Sequence, residues 1–120
     1  MGDKGVHYII NACGCERNLA DTEAVRKMLL DLVRMAGMNK LSEPTVVFHN
    51  AKNKLNSGVT GIILLSESHI SIHTYSERGD IYMDMFSCRP FDVDIVKAYV
   101  TELFGMAEID EQVIRRGLIL

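Results

Sequence analysis

Most side chains that could do chemistry lie in one short segment, residues 66–77. It reads Ser-Glu-Ser-His-Ile-Ser-Ile-His-Thr-Tyr-Ser-Glu, so hydroxyls, imidazoles and carboxylates are close neighbours. A serine near a histidine suggests a hydrolase, but the Gly-x-Ser-x-Gly elbow is absent from the sequence. Strand alternation would also put Ser68 and His73 on opposite faces, so a Ser–His pair needs a bend near Ser68. The same residues would serve equally well as hydrogen-bonded sheet residues.

The three cysteines offer thiols rather than a disulfide framework, because their number is odd and the chain resembles a cytosolic one. Cys13 and Cys15 are expected to be small buried side chains at a strand end. Cys88 is the last residue of an alternating segment whose polar side chains share a face with His73. A functional role for its thiol is therefore as good an interpretation as a structural one. The cysteines and histidines lack the usual spacing of zinc ligands, so we predict no metal site.

Two alternating segments predict the strands that position these residues. From His69 to Tyr75, isoleucines alternate with polar side chains, and the segment from Asp80 to Cys88 alternates in the same way. Each strand therefore has one apolar face and one more polar face. The polar face of this pair carries His73, Asp84 and Cys88, and it must face a site, a partner subunit or water.

Helix signals occur twice in the remaining sequence. Asp21 and Asp92 are predicted N-caps, and Gly37 and Gly105 follow the last apolar residue of each helical stripe. Further strands are predicted over residues 6–12, 44–49, 59–65 and 112–116, with a polar loop over residues 51–58. Runs of strands separated by two helices predict an α+β fold, a two-layer sandwich with a mostly antiparallel sheet and two helices on one face.

Composition limits the class of protein. The chain has 120 residues, of which 48% are apolar, so residues 1–120 are expected to form a single domain. Its longest apolar run is too short to span a membrane, and its start lacks the order of a signal peptide. The net charge of -3, with scattered basic residues, argues against nucleic-acid binding. We expect a cytoplasmic protein that binds a small molecule.

Two segments, residues 65–77 and 83–88, together resemble the core signature of the small prokaryotic S-adenosylmethionine decarboxylases, which are pyruvoyl enzymes. The family pattern is approximately Glu-Ser-His-(Ile or Leu)-(Ser or Thr)-Ile-His-Thr-Trp-Pro-Glu, followed by an acidic residue in Ile-Asp-(Val or Leu)-Phe-Thr-Cys-Gly. The spacing from the serine to the second histidine and to the cysteine is the same here. The resemblance extends to Gly5-x-His7 and to residues 58–61, and it covers most of the chain up to the second helix.

The resemblance implies a proenzyme that cuts itself between Glu67 and Ser68 into residues 1–67 and 68–120. The Ser68 hydroxyl would attack the carbonyl of Glu67, which calls for a strained turn, and β-elimination would leave a pyruvoyl group derived from Ser68. That group forms a Schiff base with the substrate amine and accepts the electrons released when carbon dioxide leaves.

Roles for further residues follow from the same resemblance. His73 is expected to handle protons during processing, assisted by the hydroxyl of Thr60, and Cys88 is expected to reprotonate the product. Glu77 matches the family glutamate that contacts the substrate ribose. Two more substrate-binding candidates are His7 and Asp84. Relatives often supply an aromatic residue near the adenine that is missing here, and His7 or Phe48 could replace it. Asp84 could meet the far end of arginine or ornithine.

Several positions depart from the family pattern. Tyr75-Ser76 replaces Trp-Pro, Ser87-Cys88-Arg89 replaces Thr-Cys-Gly, Asn11 stands where relatives often have glutamate, and residues 51–57 contain no aromatic residue.

The expected activity is decarboxylation of S-adenosylmethionine, which supplies the aminopropyl donor for spermidine synthesis. The alternatives are a pyruvoyl-dependent arginine or ornithine decarboxylase of the same family and a noncatalytic, uncleaved homologue. We expect a homodimer in which both chains line each site.

Overall fold

The computed structural model describes residues 4–117. In chain order its elements are β1 (Gly5–Cys13), α1 (Thr22–Met35), β2 (Thr45–His49), β3 (Gly58–Leu65), β4 (Ser68–Tyr75), β5 (Asp80–Ser87), α2 (Val93–Phe104) and β6 (Glu108–Arg116). Every predicted helix and strand is present. The largest difference lies in β6, which begins at Glu108 rather than at Gln112, because it pairs with β1 along its whole length.

The strands form one antiparallel sheet in the order β2-β3-β4-β5-β1-β6. Strands β2 to β5 follow one another as in the sequence. Strand β1 is inserted between β5 and β6, so the two ends of the described chain lie side by side. Both helices cover the same face of this sheet, which confirms the predicted two-layer α+β sandwich.

Both helices begin and end at the residues that the sequence marks. The Asp21 carboxylate accepts hydrogen bonds from the backbone N–H groups of Glu23 and Ala24, which caps α1. Asp92 caps α2 in the same manner, and α2 ends at Gly105, whose φ of 60° is left-handed. No helix within residues 4–117 is long and apolar enough to cross a bilayer.

The core lies between the helices and the apolar face of the sheet. It is built from fully buried side chains of every central strand and both helices, among them Tyr8, Ile10, Leu29, Leu32, Ile63, Ile70, Ile72, Met83, Met85, Val100 and Phe104. Helix α1 packs closely on β3 at Gly61, where an added Cβ would lie 3.2 Å from Val25 and 3.3 Å from Leu29. The helices thus cover one sheet face and leave the other to solvent.

Asp31 joins the two helices through a buried carboxylate that is 6% exposed. It accepts hydrogen bonds from Lys27 at 2.6 Å, from Arg34 at 2.9 Å and from the Tyr99 hydroxyl of α2 at 2.6 Å. Burial by itself would raise the pKa of Asp31, but these hydrogen bonds outweigh it and lower the pKa to about 2. The ionised carboxylate therefore stabilises the packing of α1 against α2.

We expect Asp31→Asn to lower the free energy of unfolding at pH 7 by about 2 kcal/mol, because charged hydrogen bonds are lost. The folded pKa lies below the unfolded value, so this stabilisation is present above about pH 4 and disappears as the pH falls towards 2. Thermal unfolding from pH 7 to pH 2 tests this, with Glu23→Gln as an exposed control on the same helix. A difference from wild type that does not shrink at low pH would contradict it.

Candidate active site

The sheet face opposite the helices, here called the open face, carries the predicted polar side chains in three cross-strand rows. Read across β3, β4, β5 and β1, the rows are Thr60–His73–Tyr82–Asn11, Ile62–Ser71–Asp84–Ile9 and Leu64–His69–Phe86–His7. Alternation in four adjacent strands therefore gathers four chain segments on one surface. The prediction that His73 and Asp84 share this face is confirmed.

The expected cleavage bond lies in the tight turn that joins β3 to β4. Leu65 pairs with Ser68, and Glu67 has a φ of 65°, in the left-handed region that a residue with a Cβ adopts at a cost of roughly 1 kcal/mol or more. Ser68 is half-buried and is the first residue of β4. The peptide bond between Glu67 and Ser68 thus follows a strained residue, as the sequence analysis expected.

The bend near Ser68 that a Ser68–His73 pair within one chain would need is absent from β4. Strand β4 is continuous from Ser68 to Tyr75 and pairs with neighbours on both sides. At about 3.3 Å per residue, Ser68 and His73 lie roughly 16 Å apart along the strand and on opposite faces. A single chain therefore does not bring His73 to Ser68.

Thr60 and His73 form a side-chain pair on the open face. They are direct cross-strand partners in β3 and β4, and the Thr60 Oγ1 to His73 Nδ1 distance is 3.2 Å. Both residues are exposed. A hydroxyl held against an exposed imidazole can relay a proton in either direction, because the ring nitrogen donates or accepts according to its tautomer.

Cys88 lies at the same end of the sheet as Ser68. It directly follows Ser87, which is the β5 partner of Ser68, and the Ser87 hydroxyl accepts a hydrogen bond from the Arg89 N–H at 2.9 Å. This local bond turns the chain at the end of β5 and leaves the Cys88 thiol exposed. The thiol lines a cavity of about 240 Å³.

Glu77 lies at the other end of the β4–β5 hairpin, in an exposed turn. The length of β4 separates this turn from Ser68 by more than about 20 Å. A second cavity, of about 320 Å³, lies at the Glu77 end, and Asp80, Glu108 and Asp110 contribute carboxylates to its lining. The predicted site residues thus form two groups, one at each end of the open face.

A polar and aromatic cluster that extends from the Cys88 cavity towards the middle of the open face was not predicted from the sequence. His7 Nε2 lies 3.1 Å from Asp84 Oδ1, and the Phe86 ring contacts His7 and His69 with centroid distances of 6.3 and 5.8 Å. Arg116 completes the cluster, with its guanidinium 4.5 Å from the centre of the Phe86 ring. Only the pairing of β1 with β5 and β6 brings these residues together, and no local pattern signals it.

The other two cysteines differ from the prediction in part. Cys15 is buried, as expected, and burial raises its pKa to about 11. Cys13 is exposed, which corrects the prediction, because it follows the open-face alternation of β1 and donates a hydrogen bond to Glu108 at 3.2 Å. Residues 4–117 contain no group of three metal-ligating side chains.

Comparisons with known proteins agree with this arrangement. The family model described as S-adenosylmethionine decarboxylase matches residues 6–117. A proenzyme of that name from Methanococcus maripaludis is 38% identical, covering 99% of this chain and 94% of its own. One from Persephonella marina is 35% identical, covering 96% and 84%. The crystal structure of the adenosylmethionine decarboxylase from Aquifex aeolicus has a TM-score of 0.79 and 27% identity, covering 100% of this chain and 96% of that one.

The solved relative thus has the fold of this chain over its whole length, a two-layer α+β sandwich. The chain belongs to the S-adenosylmethionine decarboxylase family. Members of this family are lyases.

Strain at Glu67 leads to a stability prediction. In a Ser68→Ala background, which keeps the chain uncut, Glu67→Gly should raise the free energy of unfolding by about 1 kcal/mol, because glycine adopts a positive φ without a Cβ clash. Denaturant unfolding measures this. Glu77→Gly is the matched control, since Glu77 has no positive φ, and it should not stabilise the chain. Equal effects of the two substitutions would show that the turn stores no strain.

Proposed function

We propose that this chain is the proenzyme of a pyruvoyl-dependent S-adenosylmethionine decarboxylase that cleaves itself at Glu67–Ser68 into residues 1–67 and 68–120. The observation that carries the proposal is the left-handed φ of Glu67 immediately before Ser68, at the sheet end where the Cys88 thiol also lies. Relatives that are named as proenzymes of this activity, and that match most of the chain, support the proposal.

Processing uses Ser68 itself. Its Oγ attacks the carbonyl carbon of Glu67, so a C–O ester bond forms, the peptide C–N bond breaks and the nitrogen of Ser68 takes up a proton. This shift is uphill in a relaxed peptide, and strain at Glu67 offsets part of that cost. β-Elimination then breaks the Cβ–O bond of the ester and releases the new carboxylate of Glu67, and water hydrolyses the resulting imine at residue 68 to a carbonyl and ammonia. When present, this pyruvoyl group supplies an electrophilic carbonyl and an electron sink for decarboxylation.

Four side chains have roles toward the substrate in this proposal. Cys88 carries the proton that the α-carbon needs after carbon dioxide leaves, since its thiol is exposed beside the partner strand residue of Ser68. Glu77 accepts hydrogen bonds from the two ribose hydroxyls. The His7–Asp84 pair, joined at 3.1 Å, lies between the two ends of the open face and lines the path of the substrate.

A homodimer would complete the site. Ser68 and Cys88 lie at one end of the open face, and Thr60, His73 and Glu77 lie towards the other. A twofold axis across two facing open faces would place the first group of one chain beside the second group of its partner.

The surface of the open face supports this pairing. Its apolar side chains are 39 to 56% exposed, namely Val47, Ile62, Leu64, Tyr82 and Ile114. Apolar patches of this kind mark protein interfaces. The two ends also differ in charge, with Lys4 and Arg116 near Cys88 and three carboxylates near Glu77, so a twofold arrangement brings unlike charges together.

S-adenosylmethionine is the substrate that we propose, since relatives along most of the chain are named for it and two ribose hydroxyls match the acceptor oxygens of Glu77. Its decarboxylated product is the aminopropyl donor of spermidine synthesis. A cytoplasmic location accords with three free thiols, which persist in a reducing compartment.

Complementation between chains tests the shared site. Ser68→Ala chains cannot be cut, and His73→Ala chains should remain uncut when expressed alone. In dimers that combine one Ser68→Ala chain with one His73→Ala chain, we expect the His73→Ala chain to be cut. The Ser68→Ala partner still has His73, which can handle the proton for the cleavage of the other chain. Intact-mass measurement of differently tagged chains reads this out, with light scattering as a check on dimer formation. Absence of cleavage in mixed dimers would contradict a site shared in this way, and an uncut wild-type chain would favour the noncatalytic homologue.

Replacement of Cys88 tests the role of the thiol and the substrate class together. We expect Cys88→Ser to be cleaved normally but to lose at least about 100-fold in kcat, because a serine hydroxyl is a far weaker acid. Release of labelled carbon dioxide from S-adenosylmethionine, arginine and ornithine measures turnover, and Cys13→Ser is the matched control. Release from arginine or ornithine alone would overturn the proposed substrate and leave the thiol role intact.

A further inference from the structure

The cavity beside Cys88 is a basic cavity in an acidic protein. Its lining comprises Lys4, Gly5, Phe86, Cys88, Arg116 and Gly117, so two cations flank the thiol and no carboxylate of the described chain takes part. The whole chain carries a net charge of -3. A local excess of positive charge around a thiol therefore calls for an anionic ligand or partner.

Strand register explains how the cavity forms. Gly5 of β1 pairs with Arg116 of β6, while Val6 pairs with Ser87 of β5. Continuing the register by one residue places Gly5 between Arg116 and Cys88. Gly5 has no side chain, and the Phe86 ring occupies the space beside it, since an added Cβ would lie 2.8 Å from Phe86 Cε1. Phe86, Arg116 and Cys88 line the cavity together.

Arg116 is held in place by an aromatic ring and has no anionic partner among the described residues. Its guanidinium lies over the Phe86 ring at 4.5 Å, a cation–π contact that leaves the N–H donors at the edge of the group available. Within residues 4–117, no carboxylate lies within ion-pair distance of Arg116 or Lys4. A planar guanidinium of this kind matches a carboxylate with two parallel hydrogen bonds.

We propose that Arg116, with Lys4 beside it, binds the α-carboxylate of the amino-acid substrate. This inference rests on the proposed function, in which the Cys88 thiol protonates the α-carbon. The carboxylate is bonded directly to that carbon, so it lies within a few ångströms of the thiol before it leaves, and the cavity that holds the thiol holds both cations.

The contact with Arg116 acts on binding rather than on the chemical step. Negative charge leaves the carboxylate as the C–C bond breaks, so the guanidinium stabilises the bound substrate more than the transition state. Loss of Arg116 should therefore raise KM without lowering kcat. The decarboxylated product no longer pairs with Arg116, which favours its release.

Two ligands that cannot react test the proposal without turnover. One is the deamino analogue of S-adenosylhomocysteine, which keeps the carboxylate but has no amine, and the other is methylthioadenosine, which has neither group. Calorimetric titration measures both against wild type, Arg116→Gln and Arg116→Lys. Arg115→Gln is the matched control, because it removes the same charge from the neighbouring position on the other face of β6.

We expect Arg116→Gln to weaken the carboxylate ligand at least ~10-fold and methylthioadenosine less than ~2-fold, with partial rescue in Arg116→Lys. Steady-state assays should show the same ~10-fold rise in KM with kcat unchanged or higher. Equal weakening of both ligands, or of neither, would overturn the proposal. So would loss of the dimer by light scattering, which would assign Arg116 to a carboxylate of the partner subunit.

The titrations also separate this inference from the proposed function. If wild-type protein is uncut or inactive by intact mass and carbon dioxide release, the proposed function fails. If the carboxylate ligand still binds more tightly than methylthioadenosine, and that difference in affinity vanishes in Arg116→Gln, carboxylate binding by Arg116 is supported even so. If processing and turnover are normal but the two ligands show no such difference in affinity, only carboxylate binding by Arg116 is rejected.

Discussion

Cross-strand register in a sheet covered on one face is the constraint on which the rest of this structure depends. Side chains alternate along each strand, so the residues that enter the core between the helices determine which residues remain on the open face. Ile70 and Ile72 are fully buried, and for that reason His69, Ser71 and His73 point to the open face. A shift of one residue in β4 would exchange the two sets and bury the imidazoles.

This constraint also separates the site residues. Ser68 and His73 lie in one straight strand, and the pairing of β4 on both sides prevents the bend that would bring them together. The structure instead concentrates strain in the two-residue turn before Ser68, where Glu67 is left-handed. Backbone strain therefore lies directly next to the peptide bond that the proposed reaction breaks.

Charge is distributed along the same surface. Acidic side chains surround the cavity at the Glu77 end, and basic side chains surround the cavity at the Cys88 end. A facing copy related by a twofold axis would set each basic end against an acidic end. In the proposed dimer, S-adenosylmethionine would lie between two such ends, with its carboxylate towards Arg116 and its ribose towards Glu77 of the partner subunit.

Local sequence determined much of this protein. Periodicity and caps such as Asp21, Asp92 and Gly105 predicted both helices, alternation predicted the two faces of β4 and β5, and the motif around Ser68 indicated the family. These features depend on neighbours within a few residues, so they can be read from the sequence directly.

Only the tertiary structure decided which strands pair. Insertion of β1 between β5 and β6 places His7 beside Asp84 and sets Gly5 between Arg116 and Cys88. It also exposes Cys13, where sequence reasoning expected burial, and extends β6 back to Glu108. The physical reason is that alternation specifies the faces of a strand but not its neighbours, which are selected by long-range packing and loop closure.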